Sequence, residues 1–147
     1  MNAGRLQADV TTLHPGDVAC VERGQRLDTL LGSCVAIVLT DPLRTVGAMC
    51  HIVHATNAPM LLQRMHGLLR ARAVDPRQCE AYVYGGGNMF PALFTDGHVG
   101  DANADWALRA LAEDGVRVLH SEVGGTLYRR LSWTVGPEAP QVAGVAV

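Results

Sequence analysis

The chain has 147 residues, 48% of them hydrophobic and 18% charged, with a formal net charge of -2 at pH 7. That length suits one ordinary domain with its own core, and the composition excludes a disordered tail protein and a basic nucleic-acid-binding surface. The opening MNAGRLQADVTT lacks the apolar run of a signal peptide, and no stretch reaches the roughly eighteen apolar residues of a membrane span, so a cytoplasmic protein without membrane insertion is expected.

In chain order, PGDVACVE (15–22) reads as a turn and a short strand, and RGQRLDTLLGS as a polar connection. CVAIVLT (34–40) is a continuous β-branched run, the pattern of a strand buried on both faces. DPLR then supplies Asp and Pro at the first two positions of a type I turn, and TVGAMCHIVH resumes as the second strand of a hairpin. Leu61, Leu62, Met65, Leu68 and Leu69 form the stripe of an amphipathic helix starting at Pro59. CEAYVY is a strand running into the glycine cluster GGGNMF, and DANADWALRALAEDG is a second helix with Asp101 as cap and Gly115 as stop. VRVLHSEV and LYRRLSWTV give two more strands around a glycine pair, and PEAPQVAGVAV, which has no clear period, is expected to be a loose tail. The pattern predicts a single-domain α/β (α+β) sandwich, mostly antiparallel, with two main helices.

Cys20, Cys34, Cys50 and Cys79 should be reduced in that compartment, so each thiol needs its own explanation. A symmetric hairpin turning between Pro42 and Leu43 pairs Asp41 with Arg44, Leu39 with Val46 and Cys34 with His51, which brings the thiol and imidazole within reach. Cys beside His is the minimum unit of a thiol nucleophile, because an adjacent imidazolium favours the thiolate and can return its proton to a leaving group. The Gly32-Ser33 step before the thiol suits backbone N–H donors for an oxyanion.

A zinc site at Cys50, His51 and His54 conflicts with strand alternation, which puts His51 on the opposite face from the other two, and there is no C-x-x-C pair. No metal is expected. YGGGNMF lacks the endings of a P-loop or a dinucleotide fingerprint, so no nucleotide cofactor is expected either. His14, His66, His98 and His120 read as surface or hydrogen-bonded structural residues, and Trp106 and Trp133 as core or rim aromatics.

The stretch TLLGSCVAIVLTDPLRTVGAMCH resembles the nucleophile hairpin of the CheD family, chemoreceptor glutamine deamidases of bacterial chemotaxis. PGDVAC, YGGGNMF and HVGDAN through SEVGGTLYRRL match the same family in order, so the resemblance spans about residues 14–136. It implies hydrolysis of specific glutamine amides on methyl-accepting chemotaxis receptors, with Cys34 as nucleophile, His51 as base and no cofactor. Thr29 is the match for a third site residue, with Asp28 a competitor. It further implies a site like that of the cytotoxic necrotizing factor toxins and a CheC-like phosphatase as a possible regulator. A receptor methylesterase using the same residues and a non-catalytic adaptor are the alternatives. Ile52, Val53, His54 and Ala55 replace a common Phe-Met-Leu-Pro, and Thr126 and Tyr128 replace residues often Asn and Gly, departures that bear on substrate selectivity.

Overall fold

The computed structural model describes residues 9–93 and 98–145. Its strands are β1 (Val10–Leu13), β2 (Val18–Glu22), β3 (Arg26–Leu31), β4 (Val35–Thr40), β5 (Val46–Ile52), β6 (Glu80–Gly85), β7 (Arg117–Val123), β8 (Tyr128–Thr134) and β9 (Gln141–Val145). Among the described residues there are also two α-helices, α1 (Ala58–Arg70) and α2 (Val99–Glu113), and a short 3-10 helix at Pro76–Gln78. One sheet runs β1-β3-β8-β9 and the other β2-β5-β4-β6-β7. Only the β1–β3 and β6–β7 pairings are parallel, so the sandwich is mostly antiparallel as expected.

Three layers result. Alternation along the central strands assigns one face of the five-stranded sheet to the helices and the other to the four-stranded sheet. Val35, Ile37, Leu39, Ala48, Cys50 and Ile52 pack with Leu61, Met65 and Leu69 of α1 and Ala104, Ala107 and Leu111 of α2. Ala36, Val38, Met49, Tyr82 and Tyr84 pack instead against Leu27, Leu31, Leu131 and Trp133 of the other sheet. Every residue of β4 and β5 is buried, which explains why this hairpin reads as unbroken apolar sequence.

The structure corrects four expectations. The connection over 26–31 is the strand β3; its inward residues Leu27, Thr29 and Leu31 alternate with outward Arg26, Asp28 and Leu30, and the polar Thr29 inside with the apolar Leu30 outside masks the period. β1 was likewise not anticipated. Residues 141–145, expected to be loose, pair with β8 as an edge strand, where half-exposure leaves no hydrophobic alternation to read. The second helix starts at Val99 with His98 as its cap, Nδ1 accepting from the Gly100 N–H at 3.0 Å, while Asp101 lies in the first turn.

The fourth correction concerns the hairpin. A four-residue turn exists there, with the Arg44 N–H donating to the Asp41 carbonyl at 2.9 Å. Arg44 then takes a left-handed conformation (φ 59°), and the Asp41 carboxylate accepts from the backbone of both Thr45 and Val46. The connection is longer on the β5 side than a symmetric turn, and Ala36, not Cys34, lies opposite His51. The slip is two residues, an even number, so every side chain keeps its face.

Candidate active site

Cys34 is half-buried at the mouth of β4, against the core between the sheets. Two residues on, Ala36 faces His51, so the thiol and imidazole share one face as diagonal neighbours, a relation that separates Cα atoms by about 7–8 Å. The intended partners are on the same side, one step further apart than direct opposition would put them.

The third residue comes from the opposing sheet. Thr29 Oγ1 lies 2.7 Å from His51 Nδ1 and 2.8 Å from the Leu13 carbonyl oxygen. A carbonyl can only accept, so the single hydroxyl proton of Thr29 goes to Leu13. Thr29 must then accept from Nδ1–H, which leaves the proton off Nε2 and makes that nitrogen the base. Nε2 is buried with no hydrogen-bond partner among the described residues. Asp28 points the other way, its carboxylate bound to Arg26 and Ser132 on the outer face of β3, and plays no part in this cluster.

Burial sets the protonation states. His51 is pulled down from its usual 6.5 to about 4, chiefly by desolvation, the nearby Asp17 carboxylate opposing this weakly and His14 adding to it. Burial pushes the Cys34 thiol up. The resting pair is therefore neutral thiol beside neutral imidazole, in place of the thiolate and imidazolium that adjacent Cys and His suggest in sequence. A pair in these states would have to pass the thiol proton to Nε2 as the sulfur reacts, a general-base arrangement. The deep thiols Cys50 and Cys79 are pushed up to about 12 and serve as core. Cys50 lies on the helix-facing side, away from His51, as alternation requires.

The loop that carries the thiol is tied down through three successive carbonyls. Those of Gly32 and Cys34 accept from the N–H groups of Gly87 and Gly86 at 3.0 and 2.9 Å. That of Ser33 accepts from Asn103 Nδ2 at 3.1 Å. All peptides here are trans, so the N–H groups of Ser33 and Cys34 point opposite to these anchored carbonyls, the orientation an oxyanion would use. The glycine cluster is thus the cradle of the loop rather than a generic bend. Gly85 (φ +112°) shows why no side chain fits: a Cβ there would lie 2.1 Å from the Cys34 carbonyl oxygen. Arg129, nearly buried, fastens the far side by donating to the carbonyls of Gly85 and Gly124. Tyr128 and Met89 flank Gly32 and wall the loop.

Asn103 escaped the sequence reading. It sits on the buried stripe of α2 with Ala104, Ala107 and Leu111, and a lone amide on such a stripe was the available signal.

A half-buried thiol, a neutral imidazole of fixed tautomer and a buried hydroxyl on a two-sheet sandwich are groups of the kind that cysteine hydrolases use. The chain belongs to the CheD family. The family model for CheD chemotactic sensory transduction matches residues 54–137. A protein of Albidiferax ferrireducens named "Probable chemoreceptor glutamine deamidase CheD 2" is 31% identical, over 84% of this chain and 80% of its own. One of Pseudomonas syringae pv. syringae, "Probable chemoreceptor glutamine deamidase CheD", is 35% identical over 81% and 75%. Among solved structures the fold is similar to Neisseria meningitidis NMB0706 (TM-score 0.54, 15% identity, 84% of this chain and 67% of that one). It is also similar to Bacillus licheniformis YfiH (TM-score 0.55, 13% identity, 75% of this chain), of which it spans 51%. At those identities the likeness concerns fold alone.

Proposed function

We propose that this protein is a chemoreceptor glutamine deamidase, in which Cys34 is the nucleophile, His51 the base and Thr29 the residue that fixes the base. The observation that carries the reading is the Thr29–His51 bond, which leaves an unprotonated, unpartnered Nε2 on the imidazole that shares a sheet face with Cys34. As the sulfur attacks the carboxamide carbon of a receptor glutamine, its proton passes to Nε2. The oxyanion is held by the N–H groups of Ser33 and Cys34. The imidazolium protonates the departing amine, ammonia leaves, and a thioester remains. Water deprotonated by His51 then hydrolyses the thioester, releasing glutamate and the thiol. These steps draw on this chain's own groups, with neither metal nor cofactor. A neutral resting pair suits an amide, whose poor leaving group needs the proton that His51 has just collected.

The substrates are methyl-accepting chemotaxis receptors, met in the cytoplasm through a weak, transient contact, and a CheC-like phosphatase is the regulatory partner. Incubation with a receptor cytoplasmic segment, followed by peptide mass analysis, tests the reading. Conversion of specific Gln to Glu, lost in Cys34→Ala and His51→Gln, is expected; conversion that survives in Cys34→Ala would mean another nucleophile, and no conversion by the wild type would leave the adaptor.

A further inference from the structure

We propose that Asn103 is a positioning residue for the oxyanion site, its buried carboxamide holding the 33–34 peptide so that the Cys34 N–H stays turned outward. This rests on the reading of Cys34 as the nucleophile on an amide.

Asn103 is fully buried on α2, yet its side chain serves two distant loops. Nδ2 donates to the Ser33 carbonyl at 3.1 Å and to the Val53 carbonyl at 2.8 Å. Two carbonyl acceptors fix the amide orientation, because the flipped form would set Oδ1 against both oxygens. The opposite end is left poor: Oδ1 is buried without a hydrogen-bond partner among the described residues. Leu or Ala would fill this stripe without an unsatisfied acceptor, so packing alone does not account for an amide here. In the thiol loop the amide secures the Ser33 carbonyl, which no backbone N–H reaches among the described residues. The peptide it grips carries the Cys34 N–H on its other edge, so its angle sets where that donor points.

The imidazole is held by other means. Thr29 fixes the ring, the His51 carbonyl accepts from the Gly16 N–H at 2.9 Å, and its N–H donates to the Asp17 carbonyl at 3.0 Å. Loss of Asn103 therefore frees the 33–34 peptide and leaves the base in place. Asn103 reaches no reacting atom itself.

Asn103→Leu, close in shape and without a donor, should lower kcat for receptor-segment deamidation about 100-fold with KM within about twofold. Alkylation of Cys34 by iodoacetamide builds no oxyanion at the loop, so its rate should stay within about twofold of the wild type. Alkylation falling in parallel with kcat would show that Asn103 merely holds the site together and would overturn the proposal, as would undiminished kcat. Asn103→Ala gives the same readings should the Leu variant not fold. A wild type that leaves glutamine unchanged, or an active Cys34→Ala, defeats the functional reading; an inactive Cys34→Ala beside a fully active Asn103→Leu defeats only this proposal.

Discussion

Acid should weaken this protein through His51, and the effect can be sized. In the unfolded chain the imidazole titrates near its ordinary 6.5, but folding depresses this to about 4 by burial. Between those values the unfolded state binds a proton that the folded state refuses, so stability is complete above about pH 6.5 and is lost as pH falls toward 4. At 1.36 kcal/mol per unit the full loss is about 3 kcal/mol, most of it gone by about pH 4.5. Urea unfolding at neutral pH and at that acidic pH, for wild type and His51→Gln, isolates the contribution. Asp28 and Asp41, whose carboxyls are held below their usual range by hydrogen bonds that outweigh burial, also cost stability in acid, but equally in both proteins. The wild type should lose about 2–3 kcal/mol more than the variant over the interval, a large part of a typical domain's stability. Equal losses would mean that the imidazole is not held neutral by burial, and the general-base description would fall with it.

Thr29→Val keeps the volume and removes the acceptor for Nδ1–H, so deamidation should drop about 10- to 100-fold in kcat, the range typical for an orienting partner, as steady-state rates would report. The Cys34 alkylation rate should keep rising with pH beyond the ordinary thiol range, because burial disfavours the thiolate; a plateau below neutrality would instead indicate a preformed ion pair. Gly85→Ala should destabilise by about 3 kcal/mol or more, or prevent folding, since the new methyl would meet the Cys34 carbonyl at a backbone angle that L-residues rarely adopt; thermal unfolding measures this.

The parts of the fold that were legible in sequence are those buried on a regular period. β4, β5, β6 and both helices announce themselves through runs and stripes, and Cys34 and His51 stay on one face despite an incorrect register because the slip was even. β1, β3 and β9 did not, since a strand with one solvent face and short polar ends resembles a connection, and β3, on which β1 pairs, finds its other partner only in β8, far away in sequence. The same distance hid the physical basis of Thr29: its position in the chain matched a family pattern, but the bond to His51 exists only because two separate sheets are stacked. Protonation was illegible for a related reason. Adjacent Cys and His suggest an ion pair, and only the burial around His51 reverses that expectation. Asn103 acts across 70 residues to Ser33, beyond any local pattern.

Because thiol and imidazole sit on one sheet and the hydroxyl that sets the tautomer sits on the other, reactivity is a property of the assembled layers. A nascent chain that has closed only the β4–β5 hairpin carries both reactive side chains but nothing to choose which ring nitrogen holds the proton. On the proposed reading, competence would thus depend on the stacking of both sheets, and a thiol carried by the hairpin alone would lack the group that sets the imidazole's tautomer.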